Sequence, residues 1–345
     1  MTQPGPVPKP PTLRDVAQRA GVHSGTASRA LNPRTRSMVN SDTVKRVLRA
    51  AAALGYEPNP IARSLRTNKT HTVGMFIPDV SNPLFSSMVR GVERVLSEQD
   101  YALLLADTDN SVERESSLYT ALRGRQVDGL VIATAQRDSP LIDRMLTDQV
   151  PFVLVNRVSL EHSTLAVTGD EASGVRQAVA HLAGLGHTRI AYLAGPQRTS
   201  TGVVRLAAFR QSMLEHGFTP LPEEIVECAS WSEEAGSEAM ARLCAAGLAA
   251  TAVVAGNDMI AAGCYDVLRE FGIGCPDDVS VIGFNDMPFV DKFSPPLTTV
   301  RLPNRELGEE GAALLLDRMA GQAPIAKTIV LPVSLVVRGS TAPPR

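Results

Sequence analysis

Thr12-Leu13-Arg14-Asp15-Val16-Ala17-Gln18-Arg19-Ala20-Gly21-Val22-His23-Ser24-Gly25-Thr26-Ala27-Ser28-Arg29-Ala30-Leu31 reads as two short helices joined by a glycine turn. Thr12 and Asp15 have capping-box spacing, so the first helix starts here. Leu13, Val16, Ala17 and Ala20 repeat at helical spacing, and Gly21 ends the run because glycine tolerates left-handed dihedrals. A second helix reaches Leu31 with Ala27, Ala30 and Leu31 turned inward. This is the pattern of a helix-turn-helix. Ser41 is expected to cap a third helix whose Val44, Val47, Leu48, Ala51 and Leu54 form one apolar stripe ending at Gly55. Ser24, Thr26, Ser28 and Arg29 fall outside the inward stripe of the second helix. Of these, Arg29 has the fork that makes a bidentate contact to guanine.

Charge supports this reading. The 345 residues carry a net charge of −2, but residues 1–70 hold 12 Lys/Arg against Asp15, Asp42 and Glu57, a balance of +9, and the remainder balances at −11. A basic head on an acidic body suits a module that binds a polyanion, although a solvated basic face is the bland alternative. No uninterrupted apolar run approaches the roughly 18 residues of a membrane span. The Pro-rich start, residues 1–11, lacks the apolar core of an export signal and is expected to be a disordered tail. Four dispersed cysteines, Cys228, Cys244, Cys264 and Cys275, contain no C-x-x-C pair, so no zinc knuckle or disulfide framework is expected. A cytoplasmic protein fits.

Beyond residue 71, short apolar runs alternate with amphipathic stretches. The runs are Val73 to Ile77, Ala102 to Leu105, Gly129 to Ile132, Phe152 to Val155, Ile190 to Ala194, Ala252 to Ala255 and Val279 to Phe284. This alternation predicts an α/β body with parallel sheets. Such sheets bind ligands beyond the carboxyl ends of their strands. Pro78-Asp79 through Phe85, Asn156-Arg157, Gly195-Pro196, Asn257-Asp258 and Asn285-Asp286 follow the runs and are the places to look. Asn, Asp and Arg side chains with one aromatic ring suit a polyhydroxylated ligand. Asn82 before Pro83 reads equally as a helix cap with proline at N1, Asn257-Asp258 as a cap for the helix from Met259, and Arg205 as a paired surface cation.

The head motif Thr12-Leu13-x-Asp15-Val16-Ala17-x-x-Ala20-Gly21-Val22-x-x-x-Thr26-x-Ser28-Arg29-x-Leu31-Asn32 resembles the lactose/galactose-repressor family. Leu54-Gly55-Tyr56-x-Pro58-Asn59-Pro60-Ile61-Ala62-Arg63-Ser64-Leu65 resembles that family's hinge helix. The resemblance implies that Ser24, Gly25 and Arg29 read bases and that Thr12, Thr26, Ser28 and Asn32 hold phosphates. It also places Asn59, Ala62 and Leu65 at the DNA, with Leu65 as a wedge in the minor groove. Two departures stand out. Gly25 replaces a larger side chain, and His23 replaces the Ser or Thr at the start of the reading helix, which is expected to weaken its cap.

The body resembles the same family, whose effector domain is similar to periplasmic sugar-binding proteins. Its marks are Ser81-Asn82-Pro83-x-Phe85, Arg205-Leu206-Ala207-x-Phe209, Asn257-Asp258, Gly283-Phe284 and Val337-Arg338-Gly339-Ser340-Thr341. The resemblance implies effector contacts at Asn82, Phe85, Asn156, Arg157, Arg176, Arg205, Phe209, Asn257 and Asn285. Asn at 156 and 285, where many relatives carry Asp, together with three arginines, tilts the effector toward one with a carboxylate or phosphate. Truncating Arg205 is expected to weaken effector binding and leave DNA binding near normal.

The expected organisation is therefore an all-α helix-turn-helix domain at 12–57, a hinge helix and linker at 58–71, and a two-lobed type I periplasmic-binding-protein-like domain at 72–341. Lobe one is expected over about 72–158 and 304–331 and lobe two over about 159–303 and 332–341, with a short tail at 342–345. The resemblance implies a regulator, expected to be a repressor, that binds palindromic double-stranded operator DNA as a homodimer under control of a small carbohydrate-like effector. No cofactor, metal or membrane partner is expected. An enzyme on an α/β scaffold is the competing class, but no lysine follows a glycine as a P-loop requires, and neither G-x-S-x-G nor H-E-x-x-H occurs. An exported sugar-binding protein would explain the body but not the basic head.

Overall fold

The computed structural model describes residues 11–32, 35–57, 69–159 and 161–345. Asn59, Ala62 and Leu65, with the rest of the expected hinge helix, and residues 1–10 lie outside the described residues. The chain divides into two compact units, Met1–Thr70 and His71–Arg345.

In the first unit, α1 (Leu13–Ala20), α2 (Ser24–Leu31) and α3 (Ser41–Leu54) enclose Val16, Ala17, Ala27, Ala30, Val47 and Ala51. Thr12 and Asp15 form the expected capping box, with the Asp15 carboxylate accepting from the Thr12 N–H at 2.8 Å and its hydroxyl at 2.7 Å. That backbone hydrogen bond holds the Asp15 carboxyl below its usual range. Gly21 and Gly55 end α1 and α3 at φ +62°, a conformation that costs glycine no Cβ strain. Three local expectations are corrected. Asn40, not Ser41, caps α3, its side chain accepting from Asp42 N at 2.9 Å. Leu48 lies at the rim of the stripe and is exposed, while Ala50 is buried. His23 does not leave α2 uncapped, because its Nδ1 accepts from Gly25 N at 3.2 Å.

The second unit is two doubly wound lobes. Lobe one contains β1 (Thr72–Ile77), β2 (Ala102–Asp107), β3 (Gly129–Ile132), β4 (Phe152–Val155), β5 (Leu165–Gly169) and β11 (Lys327–Leu331). Lobe two contains β6 (Ile190–Ala194), β7 (Ile225–Glu227), β8 (Ala252–Ala255), β9 (Ser280–Asn285), β10 (Thr298–Arg301) and β12 (Ser334–Val336). The sheet orders are β11-β5-β4-β3-β1-β2 and β12-β10-β9-β8-β6-β7. Every pairing is parallel except β10 with β12. The two sheets therefore share one winding, and β3, β4, β8 and β9 are near-continuous apolar runs because helices cover both faces.

In lobe one, α4 (Pro83–Ser97) packs on α11 (Asn304–Met319), with α5 (Val112–Gly124) and α6 (Pro140–Thr147) also in this lobe. Lobe two carries α7 (Glu171–Gly184), α8 (Ser200–Glu215), α9 (Glu233–Ala245) and α10 (Asp258–Glu270). The first crossing between lobes falls after Gly169, not at 158, since β5 pairs with β4 and so belongs to the first sheet. Residues 342–345 are docked, not a free tail. The Ala342 carbonyl accepts from His187 Nε2 at 2.8 Å, and Arg345 pairs with Asp277 at 2.7 Å. Among the described residues no helix is long and apolar enough to cross a membrane.

Candidate functional site

On α2, Ser24, Gly25, Ser28 and Arg29 stand at i, i+1, i+4 and i+5 and so share one face, opposite buried Ala27 and Ala30. Arg29 is exposed, its Nε donating to the Gly25 carbonyl at 3.3 Å. A Cβ at Gly25 would make only an ordinary 3.4 Å contact with His23 Nδ1, so glycine there answers no steric demand. Thr12 is exposed, with its hydroxyl engaged by Asp15. Thr26 and Asn32 are half-buried.

In each lobe the strand order reverses beside one strand, β1 in lobe one and β6 in lobe two, so a crevice opens at the carboxyl ends on either side. Both crevices face a single cleft with a cavity of about 70 Å³. Pro78, Asp79 and Asn82 come from the β1–α4 connection, Phe85 from the first turn of α4, and Asn156 and Arg157 follow β4. Thr201 and Arg205 come from α8, Trp231 from the loop after β7, Asn257 from the end of β8 and Asn285 from the end of β9. Asn156 and Asn285 have φ of +66° and +118°, a backbone region that asparagine tolerates better than most side chains. Strain of this kind clusters at functional sites.

The readings of Asn82 and Asn257 as helix caps hold alongside their place in the cleft. Asn82 accepts from Leu84 N at 3.0 Å, with Pro83 at N1. Asn257 accepts from Ile260 N at 2.8 Å and donates to the Trp231 carbonyl at 3.2 Å. Arg205 is 3% exposed, and each of its three guanidinium nitrogens donates one hydrogen bond. Nε donates to Glu171 at 2.5 Å, Nη1 to the Gly256 carbonyl at 2.6 Å and Nη2 to Asn285 at 3.4 Å, while the group stacks 3.7 Å over Phe284. Burial pushes the Glu171 carboxyl up and Arg205 pulls it back.

Other polar atoms at the cleft have no partner. Asn156 Oδ1, Arg157 Nε and Trp231 Nε1 are buried without a hydrogen bond. Unsatisfied buried polar groups are rare and costly, so three at one cavity mark a site built for a ligand that supplies the missing bonds.

Two expected contacts are not in the cleft. Arg176 is exposed on α7, because Glu171, Gly174, Val175 and Ala178 form that helix's inward face and residue 176 falls between its turns. Phe209 is wholly buried one turn beyond Arg205 and stacks on Tyr192 at 4.6 Å between ring centroids, as a core residue. Conversely, Trp231 and Glu171 escaped sequence reasoning. Trp231 is the chain's only tryptophan, and its ring lies where a Cβ on Gly195 would be, 2.0 Å away.

Behind the cleft, Asp258 opens α10 rather than capping it. Its buried carboxylate accepts from Thr299 Oγ1 at 2.5 Å and Met287 N at 2.8 Å. Burial raises its pKa from an ordinary 3.8 to about 7. The folded state therefore keeps a proton that the unfolded chain releases. The resulting stabilisation is complete below about pH 4 and lost as pH rises through about 7. In denaturant titrations, wild-type stability minus that of Asp258→Asn should fall by roughly 4 kcal/mol across this window and stay flat above it. A difference independent of pH would refute the protonated aspartate.

Residues 12–59 match the family described as bacterial regulatory proteins, lacI family, and residues 179–341 match the periplasmic binding protein-like domain. The HTH-type transcriptional regulator DegA of Bacillus subtilis is 32% identical over 335 residues, spanning 96% of this chain and 98% of the relative. The HTH-type transcriptional repressor CytR of Escherichia coli is 31% identical over 331 residues, spanning 96% of each. Among solved structures, the lac repressor dimer bound to operator and the anti-inducer ONPF aligns with a TM-score of 0.86 at 29% identity, covering 97% of this chain and all of that one. The transcriptional regulator CelR–cellobiose complex aligns at 0.74 and 33%, covering 96% and 99%. With relatives above 30% identity along almost its whole length, the chain belongs to the lacI family of bacterial regulatory proteins and is a DNA-binding transcriptional regulator, not an enzyme.

Proposed function

We propose that the protein acts in the cytoplasm as a homodimeric repressor, each head reading one half-site of a palindromic operator and each body binding one small polar effector in the cleft. The unpartnered polar atoms of the cleft carry this reading, because they come from both lobes: Asn156 and Arg157 from lobe one and Trp231 from lobe two. A ligand bonding to both sides prefers one lobe angle over another, and such differential affinity is how a ligand shifts a conformational equilibrium. The relatives support the ligand class: one is a ribose operon repressor, and one solved neighbour holds ribose.

In the head, Arg29 with Ser24 and Gly25 reads bases, while Thr12, Thr26, Ser28 and Asn32 hold phosphates. Arg29→Ala should weaken operator binding by about 1–3 kcal/mol and leave random-sequence DNA nearly unaffected. Equal losses on both, read by fluorescence anisotropy, would remove Arg29 from base reading. The scheme as a whole is tested by calorimetry of an effector with and without saturating operator. Coupling is reciprocal, so the two affinities should differ by about 5–150-fold. Identical values would leave the cleft as a passive binding site.

A further inference from the structure

Two arginines line the cleft in different electrostatic situations. Each guanidinium nitrogen of Arg205 makes one hydrogen bond, using three of its five N–H groups, and its charge is met by Glu171. Arg157, 6% exposed, has no side-chain hydrogen bond and no carboxylate within 4 Å among the described residues, and its Nε is buried and unpartnered. A buried guanidinium left this way is expensive, because a charge removed from water needs a counter-charge. Glu115, whose charge Arg157 feels, is bonded to the Thr134 hydroxyl instead.

We infer that the effector is a sugar acid bearing one carboxylate, and that this carboxylate sits on Arg157 in lobe one while its hydroxyls face Arg205, Asn257 and Asn285 in lobe two. The inference rests on the effector reading of the cleft and adds the ligand's charge and orientation. The fork of Arg157 matches a carboxylate in bidentate geometry. The far side of the cavity offers neutral or neutralised groups, suited to hydroxyls, and the Trp231 ring for a sugar's C–H face. A phosphomonoester, close to two negative charges, fits less well. One free guanidinium faces it, with Asp79 lining the same cleft and Glu115 felt by Arg157 from behind. Burial, then the nearby charges of Arg198 and Arg205, lowers Arg157 to about 10, a direction that an anionic ligand would reverse.

Trp231, as the only tryptophan, makes intrinsic fluorescence a direct report of cleft occupancy. The full-length protein is titrated with glucuronate, galacturonate and gluconate, with the parent glucose and galactose, and with glucose 6-phosphate. At least one sugar acid should quench or shift Trp231 saturably, about tenfold or more tighter than its parent aldose. Arg157→Gln should abolish that preference by weakening sugar-acid binding at least about tenfold more than aldose binding, and Arg157→Lys should keep part of it. Circular dichroism checks that both variants fold. Equal affinity for acid and aldose, tighter binding of the phosphate, or a preference surviving in Arg157→Gln overturns the inference and leaves the effector cleft standing. If no compound perturbs Trp231, the effector reading of the cleft falls, and the inference with it.

Discussion

Replacing Arg205 by alanine is expected to cost about 3–5 kcal/mol of folding stability, a far larger effect than loss of a ligand contact. Arg205 and Glu171 are 3% and 5% exposed and joined at 2.5 Å, so truncation leaves a buried carboxylate without its counter-charge. It also removes the cation stacked on Phe284. Arg205→Ala is therefore expected to lower stability as well as to weaken effector binding. Urea denaturation of the single variant should show the loss. The double variant Arg205→Leu, Glu171→Leu should recover much of it, because replacing both members of a buried pair with apolar groups is often near neutral. A single-variant loss below about 1 kcal/mol, the range of a solvated surface pair, would mean that the two charges are not buried together in solution.

Gly308→Ala should be nearly as damaging, by about 3 kcal/mol, through overpacking. Helices α4 and α11 touch backbone to backbone. A Cβ at Gly308 would lie 2.1 Å from the Met88 carbonyl oxygen, and one at Gly91 would lie 2.1 Å from that of Arg305. Neither obstacle is a flexible side chain, so the helices must separate, loosening Met88, Val92 and Leu307 in the core beneath. Gly124→Ala is the control, since nothing lies within 4 Å of its added Cβ. Equal melting temperatures for the Gly308 and Gly124 variants would show that the helices do not pack this closely.

The parts of this architecture legible in the sequence were those with strong local causes. Thr12, Asp15 and Gly21 punctuate α1 with their own side chains or freedom from them, and the buried central strands are continuous apolar runs. Three of the strands that escaped lack that signal, although the mostly apolar Leu165–Gly169 escaped as well. Ile225–Glu227 is three residues long, Thr298–Arg301 follows two prolines, and Lys327–Leu331 is an edge strand that stays partly wet. Missing β7 also hid Trp231, whose place at a strand's carboxyl end is visible only once that strand is known. Arg176 and Phe209 fail for another reason. Each lies on the right helix but at the wrong angle or depth, a property set by packing that no motif records. Glu171 reads as one more acid in the first turn of a helix; only the fold brings it to Arg205, 34 residues later.

Each sheet is finished by a strand from the far end of the chain: β11 joins β5 with Lys327 opposite Leu165, and β12 joins β10 just beyond it. During synthesis, then, neither lobe can close its sheet until Lys327–Leu331 and Ser334–Val336 have been made, whereas the three helices of the head need nothing beyond Tyr56 to complete their core. A ribosome that stops early therefore releases a finished head attached to an unfinished body. Translation through β12 is what joins DNA recognition to a closed effector cleft.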